Sequence, residues 1–138
     1  MNITYRSIYF NSDEDCGLLS RWNNDPEIKH LFNRFPDREC AADPFTPAHF
    51  RKIGRNPPLK GSSKYFMIEV DAIPIGQATL EFNTQKLLCK TGHTAWIAIS
   101  IGDKSLHRSG IGKHTVMHLE RLAAEEGALR IEVGIFEY

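Results

Sequence analysis

Apolar residues recur with two different periods along the chain, and the change of period predicts where helices give way to strands. Ile3, Tyr5, Ile8 and Phe10 roughly alternate with polar residues and predict a first strand. Ser12 precedes an acidic run and a helical apolar face, which is typical of a helix start. Two further helical segments are predicted, one from Pro26 and one from Thr46-Pro47 through Ile53.

The second half of the chain has the pattern of strands, with one long helix before the last of them. A turn at residues 71–74 joins the strands 65–70 and 75–82 into a hairpin. A helix over residues 109–126 connects the third strand to the last, and such a crossover is right-handed between parallel strands. The predicted strands span residues 65–70, 75–82, 95–101 and 130–136. The pattern predicts an α/β fold with a mixed sheet, in the order β-α-α-β-β-β-α-β.

Composition narrows the class of protein. The 138 residues suit a single domain over 1–138, with 41% hydrophobic and 25% charged residues. Lys plus Arg equals Asp plus Glu at 17 each, which gives no electrostatic ground for a nucleic-acid or membrane partner. Cys16, Cys40 and Cys89 form neither a metal pair nor a disulfide set, so a cytoplasmic location is predicted. No apolar stretch reaches the ~20 residues of a membrane span.

The loop that leads into helix 109–126 carries the strongest chemical signal. Its predicted first helical turn contains Gly110 and Gly112, which would let an anion approach without meeting a Cβ atom. Backbone N–H groups of a first turn lack intrahelical acceptors, and the helix dipole adds about half a positive charge there. Arg108 and Lys113 flank the turn with full charges. The segment therefore predicts a phosphate-binding turn.

Three other interpretations fit this loop less well. A P-loop would need glycine at His107 and Ser or Thr at His114. A dinucleotide-binding turn would need glycine at Thr115, although Glu132 stands about 20 residues on, where that fold has its ribose-binding acid. A helix simply capped by Ser109 is the structural alternative. Two glycines in a first turn speak against it, because each weakens a helix by about 1 kcal/mol relative to alanine.

In its strand–loop–helix setting, the segment 107–112 resembles the pyrophosphate loop of the GNAT superfamily of acyl-CoA-dependent N-acetyltransferases. That loop reads Gln/Arg-x-x-Gly-x-Gly/Ala, and only the first position, His107, departs from it. Residues 21–28 and the Ile-Gly-Asp-Lys run before the loop resemble the branch that acetylates ribosomal-protein N-termini and small amines. The resemblance implies the GNAT fold, acetyl-CoA as co-substrate, no metal, and a small amine or a peptide N-terminus as acceptor.

The resemblance also assigns the cofactor-binding residues. In the family, the pantetheine arm pairs with the backbone of the fourth strand, in a gap where the fourth and fifth strands splay apart. The residues implied for the arm are Ile99, Ser100 and Ile101, through their backbones. The residues implied for the pyrophosphate are His107, Arg108, Ser109, Gly110, Ile111, Gly112 and Lys113.

The general base is harder to assign. Related sequences often have a glutamate where this chain has Trp96, and an indole cannot accept a proton. Glu81 on the neighbouring strand and His93 just before the strand are the two candidates, with a water chain or solvated surface roles as alternatives. His114 and His118 lie one helical turn apart, but no third ligand accompanies them, so a surface pair is expected rather than a metal site.

The family normally continues beyond the fifth strand with a helix that carries a tyrosine acid and with two more strands. We therefore expect a C-terminally incomplete GNAT domain, in which a homo-oligomeric neighbour covers the edge of the last strand. Two other functions stay open. One is a non-catalytic acyl-CoA-binding or interaction module, which Trp96 favours, and the other is a nucleotide-binding fragment.

Overall fold

The computed structural model describes residues 1–28, 46–55, 63–82, 87–88 and 93–133. These residues fall into two compact units. One unit contains the first strand and everything from the second strand to the fifth, and the other contains the first two helices. No helix in the described part of the chain is long and apolar enough to cross a membrane.

The first unit is built on a five-stranded mixed sheet, in the order β1-β2-β3-β4-β5 among the described residues. The strands are β1 (Ile3–Ser7), β2 (Ser63–Val70), β3 (Ile73–Phe82), β4 (Thr94–Ile101) and β5 (Arg130–Val133). The first four pair antiparallel, whereas β5 pairs parallel to β4, as the crossover predicts. This confirms the mixed α/β fold. The rest of the predicted strand 130–136 lies outside the described residues.

The hairpin between β2 and β3 is tighter than the sequence suggests. Asp71 and Ala72 both have positive φ, at 50° and 66°, which is the geometry of a two-residue hairpin turn with the right-handed twist of its strands. Such a turn usually contains glycine or asparagine, so the pattern alone places the turn at residues 71–74. The strand β3 therefore begins two residues earlier than predicted, at Ile73. The strand β2 also begins earlier than predicted, at Ser63, which is its end away from the turn.

The helix of this unit, α3 (Ile111–Glu125), follows a short 3-10 helix (Lys104–Leu106) and covers one face of the sheet. Its buried side chains are Ile111, Thr115, Leu119 and Ala123, which recur at helical spacing. They pack with sheet residues from β2, β3 and β4, among them Ile68, Leu80 and Ile97. Because side chains alternate along a strand, the neighbouring residues Glu81, Trp96 and Ser100 lie on the opposite face. The core thus fixes which residues of β3 and β4 can serve a site.

In the described part of the second unit, the helices α1 (Asp13–Asn24) and α2 (Pro47–Arg55) pack against each other. Ser12 caps α1, as predicted, by accepting a hydrogen bond from the Asp15 N–H at 3.3 Å. Arg51 of α2 forms an ion pair with Asp13 of α1. The predicted helix through Ile53 continues to Arg55, and residues 26–28 are helical, as predicted from Pro26.

The prediction of a first strand that continues to Phe10 is wrong. The strand β1 ends at Ser7, and the chain then turns into α1. The Ser12 N–H donates to the Tyr9 carbonyl at 2.9 Å, and the Tyr9 N–H donates to an Asp15 carboxylate oxygen at 2.9 Å. The cap of α1 therefore uses backbone groups that a longer strand would need for pairing.

Candidate functional site

The loop between β4 and α3 is held firmly at its beginning. The N–H groups of Gly102 and Asp103 both donate to the Ile75 carbonyl, at 2.8 and 3.0 Å. The Asp103 side chain caps the 3-10 helix by accepting from the N–H and hydroxyl of Ser105, at 3.0 and 2.6 Å. These contacts fix the loop against the start of β3 before it reaches the helix. The predicted phosphate turn therefore starts from a defined position.

Two residues with left-handed backbone conformation lie just before α3. Arg108 has φ of 61° and Gly110 has φ of 86°. A left-handed residue turns successive N–H groups toward a common point, which makes a concave site for an anion. For Arg108, which has a Cβ atom, this conformation costs free energy, of order 1–3 kcal/mol, and such strain concentrates at functional sites. Nothing in the sequence pattern indicates a strained backbone at Arg108.

The helix itself begins two residues later than predicted. Gly110 is the N-cap of α3 and has no side chain to satisfy the first N–H groups, while the first helical bond joins the His114 N–H to the Gly110 carbonyl at 3.1 Å. The prediction that Ser109 and Gly110 lie within the first turn is therefore wrong. Ser109 does not cap the helix, because its hydroxyl donates to the Leu106 carbonyl. The simple serine-capped helix is excluded by this geometry.

An anion could approach the start of α3 closely. A Cβ atom built on Gly112 would meet no atom within 4 Å, and the same holds for Gly110. The side chain of Ile111 is 1% exposed and belongs to the core, so only its backbone can face an anion. Arg108 and Lys113 are exposed and flank the turn. The predicted residues 107–113 therefore come together as one turn, whose N–H groups, dipole and cations favour a phosphate.

The predicted cofactor strand runs directly into this turn. Ser100 is buried, while Ile99 and Ile101 are half-buried and pack against the core, so these residues could contact a ligand mainly through their backbones. Gly76 of β3 pairs with Ile101 and approaches β4 very closely. On the other side of β4, the described pairing with β5 runs from Thr94 to Ile97. Gly76 was not among the predicted site residues, although an isolated glycine in a strand signals such a close approach.

The two candidate bases occupy different places. Glu81 lies directly opposite Trp96 in the β3–β4 register, with Cβ atoms about 5 Å apart in such a pair. Glu81 is 9% exposed, so its alternative role as a solvated surface residue is wrong. His93 is exposed and precedes β4 at the end away from the phosphate turn, roughly 26 Å from Ile101 along the strand. The structure thus brings Glu81, and not His93, beside the middle of β4.

Tyr65 is the aromatic neighbour of Glu81 and was not among the predicted site residues. It lies on β2 opposite Thr79, one row along the same sheet face as Glu81. Burial raises the pKa of the Tyr65 hydroxyl, and the Glu81 charge raises it further, against a hydrogen bond with Ser63 that lowers it. Tyr65 is therefore present as a neutral phenol at neutral pH.

The histidine pair of α3 is engaged with β1. The Tyr5 hydroxyl lies 2.7 Å from His114 Nδ1 and donates to Thr115 Oγ1 at 3.1 Å. The Tyr5 ring stacks on His118 with centroids 3.9 Å apart. Burial, followed by the charges of Arg121 and His114, lowers the pKa of His118, against Glu125, which raises it. No group of three or more potential metal ligands occurs in the described parts of the chain. The contacts with Tyr5 give the pair a packing role between helix and sheet.

Comparison with known proteins places this geometry in a family. The model of the Acetyltransferase (GNAT) family matches residues 21–137. No protein of curated function has a sequence that matches this chain.

Solved structures share the fold at low sequence identity. The structure of AAC(6')-Ib with paromomycin and acetyl-CoA is 17% identical, with a TM-score of 0.75 over 98% of this chain and 74% of that one. A predicted acetyltransferase from Clostridium acetobutylicum, solved with acetyl-CoA, is 16% identical, with a TM-score of 0.65 over 99% and 82%. A domain from Methanocaldococcus jannaschii is 18% identical, with a TM-score of 0.69 over 96% and 76%.

Proposed function

We propose that this chain, which belongs to the acetyltransferase (GNAT) family and is an acetyl-CoA-dependent acetyltransferase, acetylates a primary amine of a small molecule or of a peptide N-terminus. The observation that carries the proposal is the turn before α3, where left-handed Arg108 and Gly110 precede a helix with no side-chain cap. Structural neighbours described as aminoglycoside acetyltransferases act on small amines, which supports a small amine here. The resemblance of residues 21–28 to the branch that acetylates ribosomal-protein N-termini and small amines supports a peptide N-terminus as the alternative acceptor.

The pyrophosphate of acetyl-CoA binds, in this proposal, at the N-terminus of α3. The N–H groups of Ile111, Gly112 and Lys113 supply donors, and the Arg108 and Lys113 side chains supply charge. The pantetheine arm then lies along the backbone of residues 99–101, which run directly into the anchored loop. A backbone N–H of the same strand stabilises the negative charge that develops on the thioester oxygen, a contribution of about 3–4 kcal/mol in comparable sites.

Glu81 is the proposed general base. The amine must lose a proton before its lone pair attacks the thioester carbonyl carbon, and the C–S bond then breaks with release of the CoA thiolate. Glu81 is a buried carboxylate opposite Trp96, the position where related sequences often carry a glutamate. A carboxylate one strand away can receive the amine proton directly or through one water. His93 stays the second candidate. It is less favoured because it is exposed and precedes the start of β4, away from the phosphate turn.

A turnover assay that measures the release of free CoA thiol over a panel of amines tests this function. The Glu81→Gln variant keeps size and polarity but cannot take the proton, so kcat should fall by about 10²–10⁴-fold. Glu120→Gln, an exposed residue of α3 on the helix side of the sheet, is the matched control and should keep wild-type kcat. Undiminished kcat in Glu81→Gln would assign the base elsewhere, and a loss in His93→Gln would assign it to His93.

A non-catalytic acyl-CoA-binding module is the second candidate function. The observation that favours it is Trp96, because the indole occupies the position of a common catalytic glutamate and cannot accept a proton. Calorimetry with CoA and the thiol-release assay separate the two functions. Tight CoA binding without turnover on any amine would support the module and refute the transferase.

A further inference from the structure

The imidazole of His107 contacts the end of the predicted cofactor strand. Its Nε2 atom lies 2.8 Å from the carbonyl oxygen of Ile101, the last residue of β4. A carbonyl oxygen can only accept, so Nε2 is the donor in this bond. The backbone N–H of His107 donates in addition to the Lys104 carbonyl at 3.2 Å. Both the ring and the main chain of His107 therefore hold the loop in place.

This bond lies immediately before the turn that leads into α3. His107 is the last residue before the left-handed Arg108 and Gly110, after which α3 begins. The start of the loop is held separately, by the bonds of Gly102 and Asp103 to Ile75. The His107 ring thus connects the end of the loop to the last residue of β4 by a side-chain hydrogen bond. The bond links the strand proposed to face the pantetheine arm to the turn proposed to face the pyrophosphate.

We propose that His107 is a positioning residue for acetyl-CoA, which acts by hydrogen bonding the Ile101 carbonyl and not by touching the phosphates. The proposal rests on the proposed function, since it assumes that acetyl-CoA spans β4 and the start of α3. It also revises the prediction that His107 binds the cofactor directly, because the Nε2 donor is already used within the protein. The pantetheine arm of an acyl-CoA has a limited reach, so the spacing between the two binding segments affects how well the thioester and the pyrophosphate are held at the same time.

The experiment compares donor and non-donor side chains at this position. His107→Ala removes the bond and should raise the Kd of CoA and the KM of acetyl-CoA by about 3–10-fold, the range expected for one hydrogen bond, with kcat unchanged. His107→Gln carries an amide N–H₂ that can reach the same carbonyl, so it should restore most of the affinity.

A matched control removes a hydrogen bond from the same loop without reaching the strand. Ser105→Ala deletes the 2.6 Å bond between the Ser105 hydroxyl and Asp103. The Ser105→Ala variant should leave the Kd of CoA within about twofold of the wild-type value. If the loss of any hydrogen bond in the loop weakened CoA binding, Ser105→Ala would raise the Kd of CoA as much as His107→Ala does. Unfolding should be followed in parallel, to show that each variant is folded at the assay temperature.

The outcomes separate this proposal from the proposed function. If wild-type protein binds no CoA, the proposed function fails. If the wild type binds CoA and His107→Ala binds it equally well, the positioning role of His107 is refuted. The role is also refuted if His107→Gln binds CoA no better than His107→Ala does.

Discussion

Substitution of Gly76 by alanine probes how closely β3 must approach the cofactor strand. A Cβ atom at position 76 would lie 3.0 Å from Ile101 Cα and 3.3 Å from the Ser100 carbonyl carbon, and closer still to the Ser100 oxygen. Ordinary contacts of a Cβ atom begin at 3.4 Å. All these neighbours are backbone atoms, which cannot move aside by changing a rotamer. The β3–β4 ladder must therefore separate locally, at the residues proposed to face acetyl-CoA.

The expected magnitude follows from overpacking of a rigid interior. Inserting a methyl group into a well-packed core costs about 1–3 kcal/mol. For a chain of this length, 1 kcal/mol corresponds to roughly 4 °C in Tm, so Gly76→Ala should lower Tm by roughly 4–12 °C. Because Ser100 and Ile101 are displaced, the affinity for CoA should fall as well, at temperatures where the variant is fully folded.

The assay is thermal unfolding combined with CoA calorimetry, with Gly17→Ala as the control. A Cβ atom at Gly17 would meet nothing within 4 Å, and the residue lies inside α1. The control should gain about 0.5–1 kcal/mol from the better helix propensity of alanine. If Gly76→Ala were as stable as the wild type and bound CoA equally well, the close approach of β3 to the cofactor strand would be refuted.

Named contacts elsewhere in the chain lead to three more predictions. Ser12→Ala should destabilise the protein by about 1 kcal/mol in urea unfolding, because the cap of α1 is lost, and an unchanged midpoint would contradict the cap. Stability should fall as the pH drops below about 6.5, because the folded-state pKa of His118 is lowered and the unfolded chain takes up the proton first. In a Tm series from pH 5 to 8, the slope of Tm against pH should be smaller for His118→Phe than for the wild type. Equal slopes for the two proteins would refute the role of His118. Light scattering should show a dimer or larger species, because β5 is an edge strand among the described residues, and Leu129 just before it and Val133 at its end are exposed. A monomer would refute the covered edge.

Local signals in the sequence predicted much of the fold. The Ser12 cap, the Thr46-Pro47 helix start and the hairpin each depend on a few neighbouring residues, and the structure confirms them. The parallel crossover follows from the order strand–helix–strand, and it is confirmed as well. The end of β1 was mispredicted because the apolar pattern of Ile8 and Phe10 continues beyond Ser7. The bond from the Tyr9 N–H to Asp15 belongs to the start of α1, and hydrophobic spacing does not reveal this local competition for the backbone.

The candidate site was predictable in composition but not in conformation. The two glycines and the flanking cations identified the turn, yet the exact start of α3 depends on the left-handed Arg108, which no residue preference announces. The burial of Glu81 and its proximity to Tyr65 depend on strand register between distant segments. The bond of His107 to Ile101 likewise requires the folded loop, because a histidine at this position also suits direct contact with a phosphate.

Binding of acetyl-CoA at the start of α3 is tested by calorimetric titration of CoA into the wild type and into the Gly112→Asp and Gly112→Asn variants. A Cβ atom at position 112 would meet nothing within 4 Å, and an acidic residue near a helix N-terminus is mildly stabilising, so both variants should fold normally. The carboxylate would face the pyrophosphate, so we predict that Gly112→Asp loses measurable CoA binding while Gly112→Asn, of equal size and no charge, retains more of it. Undiminished CoA affinity in Gly112→Asp would contradict binding of the pyrophosphate at the start of α3 and would place the phosphate site elsewhere.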